Sequence, residues 1–389
     1  MTEWREQKLS DFMDFNPYTP LSKGIIAKKV TMEKLIPFNR KIQGYEDAVF
    51  SGGAKFKNGD TLVARITPCL ENGKTAYVDF LDDEEVAFGS TEFIVLRAKE
   101  GISDSRFIFY FAISDEFRDT AIQLMSGTSG RQRVGTEALK RKVFTLPPLP
   151  EQKAIAEVLS SLDDKIDLLT KQNKTLEDLA QAYFRKWFIE DASDEWEVGK
   201  LGDFVEVIDN RGKTPPYQDI PTEYPIIEVK SISGDNRFID YQKCEKFVLE
   251  STYKTWFRGY IKPLDVLVST VGSVGEIAQV LLEHGVIAQN VIGLRSKGTS
   301  PYHLFEYMKY MKNEIKELDI GSVQPSIKVP HLLSLQYVKP DRDSLRKFDD
   351  FSKELVNKMI SNFMQIQTLQ KLRDTLLPKL ISGEIRVKM

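Results

Sequence analysis

The stretch LPPLPEQKAIAEVLSSLDDKIDLL, from Leu146 to Leu169, places three prolines directly before a long helical pattern. Proline cannot continue a helix or a central strand, so these prolines end the structure that precedes them. From Ile155 to Trp187 every third or fourth residue, in strict alternation, falls on one side of the predicted helix. That period of 3.5 residues is typical of a helix that packs along another helix. The stretch therefore predicts a mid-chain helix that spans roughly 50 Å.

A second, weaker seam occurs 193 residues further along the chain. We expect the two helices to pair antiparallel as a coiled coil, although two amphipathic helices, each lying on its own domain, also fit the pattern. Each seam contains one asparagine, and antiparallel pairing with aligned midpoints brings these two side chains face to face. The predicted seam consists of Leu162, Ile166, Leu169, Asn173 and Leu176 in the first helix and Leu355, Met359, Asn362, Ile366 and Leu369 in the second.

The segments before and after the first helix resemble each other. Three tracts recur in the same order: Trp4–Phe12 as Trp196–Phe204, Asp60–Val78 as Asp265–Val280, and Gly127–Val134 as Gly321–Val329. Each copy has two β-rich runs around a glycine-containing turn, which predict a hairpin, and then a helical pattern, at 105–125 and 302–318.

These patterns predict an α+β fold: two similar mixed α/β domains, separated by two long helices that form an antiparallel coiled coil, with an internal pseudo-two-fold repeat. The predicted boundaries are 1–148 for the first domain, 149–192 for the central spacer helix, 193–340 for the second domain and 341–389 for the C-terminal spacer helix.

Charge is unevenly distributed along the 389 residues, whose net charge is −3. Segment 149–195 is acidic, with 6 Lys and Arg against 11 Asp and Glu, whereas segment 341–389 has 10 against 7. A near-neutral total is compatible with a basic face, because phosphate contacts depend on local Lys and Arg density. The chain has two cysteines, no long apolar run and no N-terminal signal pattern. We therefore expect a cytoplasmic protein that does not associate with membranes.

The tract from Leu146 to Asp167 resembles the segment that opens the central helix in specificity subunits of type I restriction–modification systems. The order of domain, helix, domain and helix is similar, as are the WxxxKLxDF openings at Trp4 and Trp196 and the VGSVGEIA hairpin at 271–278. The second copy departs from the family pattern, because only Lys339-Pro340 stands where the first copy has PPLPEQ.

This resemblance implies a DNA-binding chain without catalysis of its own. In that family the two globular parts are target recognition domains, each of which reads one half of a split sequence in double-stranded DNA. The helices space the domains and dock two modification subunits, which methylate adenine, and two restriction subunits can join. The resemblance implies no cofactor in this chain, with S-adenosylmethionine, ATP and magnesium held by the partner subunits.

Two other interpretations of the sequence remain open. Asp219, Glu228 and Lys230 have roughly the spacing of a metal-dependent nuclease, in which two carboxylates and a lysine surround a cation. The same tract also fits the first strand of the second domain, at 224–230. Alternatively, the chain is a coiled-coil scaffold whose two domains bind protein partners. We predict no metal site from the histidines and cysteines, because their spacing does not fit metal ligation.

Candidate DNA contacts are polar and basic residues in loops, because base edges and phosphates are read by Arg, Lys, Gln, Asn and hydroxyl groups. The glycine-rich loop at 127–133 and its counterpart at 321–328 are the strongest candidates, followed by two loops in which the copies differ, 39–45 and 209–217, and by the hairpin tips. The predicted contacts are Arg40, Lys41, Gln43, Thr67, Lys74, Arg131, Gln132 and Arg133 in the first domain and Asn210, Arg211, Lys213, Tyr217, Ser273, Gln324, Ser326 and Lys328 in the second.

Overall fold

The computed structural model describes residues 3–128, 130–234, 236–321 and 323–387. The chain forms two compact units, Met1–Thr170 with Met364–Met389 and Lys171–Phe363. Each unit therefore contains one α/β domain and part of both long helices.

The two domains share part of their order of elements. The first domain contains β1 (Arg5–Lys8), α1 (Leu9–Phe12), β2 (Met13–Phe15), β3 (Ile26–Val30), β4 (Glu46–Val49), β5 (Ala54–Phe56), β6 (Thr61–Ala64), β7 (Thr75–Tyr77), β8 (Ala87–Gly89), β9 (Phe93–Ala98), α2 (Ser105–Ile113), α3 (Asp115–Gln123), β10 (Met125–Ser126), β11 (Arg133–Val134), α4 (Thr136–Lys140) and β12 (Val143–Leu146). Helix α5 (Leu149–Arg185) follows and continues as a π-helical turn, Lys186–Glu190.

The second domain and the last helix complete the chain. They contain β13 (Glu197–Lys200), β14 (Val205–Ile208), β15 (Ile226–Ile227), α6 (Val229–Ile232), α7 (Glu250–Trp256), β16 (Val266–Ser269), β17 (Ile277–Gln279), β18 (Val286–Ile287), β19 (Val291–Ser296), α8 (Pro301–Tyr310), α9 (Lys312–Glu317), α10 (Val329–Leu333), β20 (Gln336–Lys339) and α11 (Arg342–Ile381). Short 3-10 turns lie at Met32–Lys34, Leu201–Asp203 and Tyr241–Lys243.

The two domains share one sheet topology. The central antiparallel sheet has the order β2-β9-β6-β7 in the first domain and β14-β19-β16-β17 in the second. In both domains the first strand pairs antiparallel with the last, β1 with β12 and β13 with β20, and a parallel pair recurs as β3–β8 and β15–β18. The first domain adds β4 and β5 to its parallel pair and so completes a second sheet of four strands. This shared topology confirms the predicted repeat.

A buried ion pair recurs in both central sheets. Arg97 donates to both carboxylate oxygens of Asp60 at 2.7 Å, and Arg295 does the same to Asp265 at 3.0 and 2.7 Å. Both aspartates are buried, and a buried carboxylate needs such a fork of donors to offset its loss of hydration. The repeat therefore includes the polar interior as well as the strands.

The helical patterns at 105–125 and 302–318 each fold as two helices instead of one. Ser114 ends α2 and its side chain caps α3, because its hydroxyl accepts the Phe117 N–H. The N-caps of the first helices correspond, with Asp104 before α2 and Ser300 before α8. The predicted strand at 224–230 is wrong in extent and order, because only Ile226–Ile227 is a strand and two strands precede it in the second domain.

The long helices pair antiparallel within each unit. In the first unit Arg373 of α11 donates to Asp163 of α5 at 2.8 Å, and the end of α11 packs in the same apolar core as the start of α5. In the second unit Asn362 donates its amide to Asn173 at 2.8 Å and to Gln172 at 2.9 Å. The two asparagines thus meet, as aligned antiparallel helices require. The ten predicted seam residues are all buried or half-buried.

Each domain is fastened to the start of the long helix that follows it. The indole of Trp4 donates to Glu151 at 3.1 Å, and the indole of Trp196 donates to Asp341 at 2.9 Å. Arg386 also donates to Glu151, at 2.6 Å. The tryptophans that begin the two similar tracts, Trp4 and Trp196, therefore attach each domain to its helix.

Candidate nucleic-acid interface

In the first domain the hairpin tip after β6 and the glycine-rich loop are joined by backbone hydrogen bonds. The Thr67 N–H donates to the Gln132 carbonyl at 3.0 Å, and the Val134 N–H donates to the Arg65 carbonyl at 2.9 Å. Two loops that are far apart in sequence therefore form one surface.

The second domain has the same junction. The Gly272 N–H donates to the Pro325 carbonyl at 3.0 Å, and the Ile327 N–H donates to the Thr270 carbonyl at 2.8 Å. Val134 therefore corresponds to Ile327, and not to Val329 as the sequence alignment of the loops had it. Among the predicted contacts, Arg131 and Gln324 become equivalent at an offset of 193.

Arg131 and Gln324 are both exposed to solvent in their loops. Gln132 is half-buried and Lys328 is exposed beyond the second junction. Ser129 and Ser322, which belong to the two predicted loops, lie outside the described residues.

Arg133 belongs to a cluster of three charged side chains in the first domain. Its guanidinium donates through Nε and Nη2 to the Glu92 carboxylate at 2.7 to 3.0 Å, and Arg65 donates to the same carboxylate at 3.2 Å. Hydrogen bonds from Arg133, and then from Arg65, lower the pKa of Glu92 against the opposing effect of its partial burial. The cluster is therefore ionised at neutral pH and carries one net positive charge.

The equivalent positions in the second domain are uncharged. The Arg65 N–H donates to the Glu92 carbonyl, and the matching bond joins Thr270 to Asn290, so these positions correspond. Ser326 takes the place of Arg133.

Arg211 approaches the second junction from another loop. Its guanidinium forms a two-pronged pair with Asp209, at 2.7 and 2.9 Å, and donates to the Thr270 hydroxyl at 3.2 Å. This pair lowers the pKa of Asp209. Arg211 is therefore held beside the junction by its own neighbour in sequence.

Two predicted contacts face the protein interior. The Arg40 side chain is 8% exposed and donates to Asp164 at 2.5 Å and to Asp167 at 3.1 Å, both on helix α5. Asn210 is 2% exposed, and its amide donates to the Gly259 carbonyl at 2.9 Å while accepting two backbone N–H groups. Both groups stabilise the loops in which they lie and do not point to solvent.

The other predicted residues differ in how available they are. Lys41 is paired with Asp79, and the Lys74 ammonium donates to the Met32 carbonyl at 3.0 Å. Thr67 and Ser326 are half-buried beside the junctions. The exposed members are Gln43, Lys213, Tyr217 and Ser273.

Sequence reasoning missed Arg65 and Glu92. Arg65 directly follows β6, at the same hairpin tip that made Thr67 a candidate, so the tip itself was a usable signal. Glu92 is acidic, and an acidic side chain is not expected to contact phosphates. Its role depends on a fold that brings it to Arg133.

Two of the three nuclease candidates, Glu228 and Lys230, are engaged in surface ion pairs. Glu228 accepts from Lys246 at 2.7 Å, and Lys230 pairs with Glu245 at 2.5 Å. Within the described ranges no three His, Cys, Asp or Glu side chains are grouped so that they could hold a metal ion.

Comparison with known proteins identifies the family. Residues 1–178 and 193–336 match the family described as type I restriction modification DNA specificity domain. The chain belongs to this family. The specificity subunit of the type I restriction enzyme MjaIX from Methanocaldococcus jannaschii is 27% identical over 314 residues, which cover 75% of this chain and 71% of that protein.

Other specificity subunits match over nearly the whole chain. The HindI specificity subunit from Haemophilus influenzae is 22% identical, with 99% of this chain and 100% of that protein covered. The crystal structure of the type I restriction–modification S subunit from M. genitalium has the same fold, with a TM-score of 0.57, 19% identity and coverage of 99% and 96%.

Membership of the type I specificity family confirms the predicted class. The chain is a specificity subunit, the DNA-recognition component of its system and not its catalyst. The nuclease and scaffold interpretations are not supported by this membership. None of the helices in the described part of the chain is both long and apolar enough to cross a membrane.

Proposed function

We propose that this specificity subunit reads a split target in double-stranded DNA, one half with the domain at 1–148 and the other with the domain at 193–340. The helical segments 149–192 and 341–389 space the two readers. The observation that supports this proposal best is the repeated junction, in which a hairpin tip and a second loop form one surface at the same place in both domains.

The proposed contacts are the exposed and half-exposed groups around the two junctions. Arg131, Gln132 and Arg133 approach bases or phosphates in the first domain, and Gln324, Ser326 and Lys328 do so in the second. Three further contacts lie at or beside the junctions, namely Thr67, Ser273 and Arg211. We also propose contacts from two other loops, by Lys41, Gln43, Lys213 and Tyr217. Arg40, Lys74 and Asn210 act by supporting the loops, because their polar groups are already bonded within the protein.

The partner subunits complete the activity. We propose that two modification subunits, which bind S-adenosylmethionine, dock on the helices and methylate one adenine in each half of the target. Two restriction subunits, which use ATP and magnesium, join the same complex. The complex acts in the cytoplasm on a base that the methyltransferase extrudes from the duplex.

The test is to map adenine methylation across the host genome with and without this chain. We expect one split motif, two short fixed halves around a fixed gap, to disappear with the chain. The reconstituted complex should also lose DNA affinity as salt rises, because phosphate contacts release counterions. Persistence of every methylated motif in the deletion strain, together with unchanged DNA binding by complexes that lack the chain, contradicts the proposal.

Introducing a negative charge into each loop tests where the DNA contact lies. Arg131→Glu and Gln324→Glu should each lower the affinity of the complex for its target by about tenfold or more, since each loses a contact and adds repulsion from phosphate. Arg5→Glu is the matched control, because Arg5 is also exposed but lies on β1, which pairs with β12 and not with the glycine-rich loop of its domain. Equal effects of all three variants mean that the loops are not the interface.

A further inference from the structure

Glu92 is an acidic side chain at the centre of a surface that we propose to bind polyanionic DNA. Its carboxylate accepts hydrogen bonds from Arg133 and Arg65, and all three side chains remain partly exposed. A carboxylate here weakens nonspecific attraction to phosphate. Its presence therefore needs a local reason.

The geometry of the Arg133–Glu92 pair supplies this reason. Arg133 presents its Nε and Nη2 edge to Glu92, with N–O distances of 2.7 to 3.0 Å. A guanidinium is planar and has a second edge, formed by its two terminal nitrogens, on the side away from Nε. The bond to Glu92 fixes the plane of the group. Nη1 also donates to the Arg131 carbonyl at 3.4 Å, and because each terminal nitrogen carries two hydrogens, one hydrogen on each remains for that second edge. The side chain of Arg133 is 43% exposed, so this edge is accessible to a ligand.

A fixed guanidinium edge recognises two acceptors that lie side by side. In the major groove guanine offers this pair, O6 and N7, whereas adenine offers N7 beside a donor. A phosphate also accepts such an edge, but it does not require the plane of the group to be fixed with respect to a base pair. Arg65, held by the same carboxylate, keeps the cluster cationic when DNA binds.

We propose that Arg133 is a specificity-determining residue that selects a guanine in the half-site of the first domain, and that Glu92 is the positioning residue that holds it. This inference rests on the proposed function. The second domain has the uncharged Thr270, Asn290 and Ser326 at the equivalent places, and its guanidinium comes from a different loop, since Arg211, paired with Asp209, donates to Thr270. The two domains therefore present differently placed groups to their half-sites at the two junctions.

The test uses the complete methyltransferase complex and a pool of duplexes with randomised half-sites. Glu92→Gln keeps the size of the side chain and removes its charge. We expect discrimination for guanine over the other bases to fall by about tenfold or more at one position of the first half, because a good two-pronged base contact is lost. The second half and the gap should be read as before. Nonspecific DNA affinity should rise, with a steeper salt dependence, because two guanidinium groups are released.

Arg133→Lys provides the second arm, since lysine keeps the charge but cannot form the two-pronged contact. It should relax the same position and should not raise nonspecific affinity. Ser326→Ala is the matched control, and it can change only the other half. Because both halves are read by one molecule, intact reading of the second half shows that each variant is folded.

The outcomes separate the inference from the function on which it rests. If neither the Glu92 nor the Arg133 variant changes base preference in the first half, the inference is wrong while the split target stands. If the wild-type complex selects no split motif, the proposed function itself fails. If Glu92→Gln abolishes reading of both halves, the Arg133→Lys variant provides the test. An unchanged guanine preference in Arg133→Lys overturns the inference.

Discussion

Both domains bury an arginine at the same place, but they surround it differently. The Tyr77 N–H donates to the Arg40 carbonyl at 2.9 Å, and the Gln279 N–H donates to the Arg237 carbonyl at 2.7 Å, so the two arginines are equivalent. Arg40 pairs with aspartates that retain contact with water, since Asp164 is 64% exposed.

Arg237 has no such access to solvent. It donates to Glu306 at 2.6 Å, to Glu177 at 3.1 Å and to Gln279 at 2.9 Å, and its guanidinium lies 3.9 Å from the centre of the Phe305 ring. Burial raises the pKa of Glu306, and Arg237 opposes that effect. One scaffold position therefore holds a solvated ion pair in one domain and a desolvated network in the other.

The comparison explains the acidic charge of the central helix. Asp164 and Asp167, which receive Arg40, and Glu177, which receives Arg237, all belong to α5. Helix α11 supplies no carboxylate to either arginine among the bonds of the described residues. The excess of acidic residues in segment 149–195 is thus partly a consequence of anchoring both domains to one helix.

The largest effect is expected from Arg237→Met. The change leaves Glu177 and Glu306 buried without a cation, which typically costs about 3 to 5 kcal/mol. Urea unfolding of the full chain, followed by tryptophan fluorescence, should show the loss in the transition of the second unit. Adding Glu177→Gln and Glu306→Gln should recover much of it, because no uncompensated charge then remains. A loss below about 1 kcal/mol in the single variant contradicts this account of the network.

The sequence predicted the parts of the fold that depend on local pattern. The seam from Leu162 to Leu369 follows from helical periodicity, and the meeting of Asn173 and Asn362 follows from that periodicity plus one assumption about direction. The repeat could be recognised in the sequence because the two copies have similar residues at their turns and strand ends. These features are encoded by residues close together in the chain.

The placement of charged side chains was not predictable in the same way. Arg40 lies in the polar, basic tract NRKIQGY, which suggested a DNA contact, yet its partner Asp164 is 124 residues away. A sequence shows that a side chain is charged, but burial depends on which distant element covers it. The roles of Glu92 and Arg237 were not predicted for the same reason, since each role depends on partners that only the fold brings near.

A second difference between the domains should make them respond differently to acid. His303 in α8 occupies the place of Phe107 in α2, three residues after the N-cap in each case. His303 is buried beside Phe184 and Phe188 and lies 2.7 Å from the Tyr337 hydroxyl. Burial lowers the pKa of His303 to about 3.

The sign of the pH effect follows from this shift. The folded pKa lies below the unfolded value of about 6.5, so the stability of the second unit is complete above pH 6.5 and falls as the pH drops toward 3. At pH 5.5 the expected loss is about 1.4 kcal/mol, and His303→Phe should remove it. Denaturant unfolding of the wild type and of the His303→Phe variant between pH 7 and 5 measures the loss and its removal. An equally steep loss in the His303→Phe variant means that other groups control the response.

The smallest effect is expected from Arg40→Met, the change equivalent to the largest one. Hydration of Asp164 and Asp167 replaces most of what the guanidinium provided, so the expected loss of stability is about 1 kcal/mol. The ratio of the two arginine effects, and not either value alone, tests the comparison. If Arg40→Met costs as much as Arg237→Met under the same conditions, solvent access does not set the strength of these anchors. If added salt reduces the Arg40 effect and leaves the Arg237 effect unchanged, screening by solvent is the property that separates them.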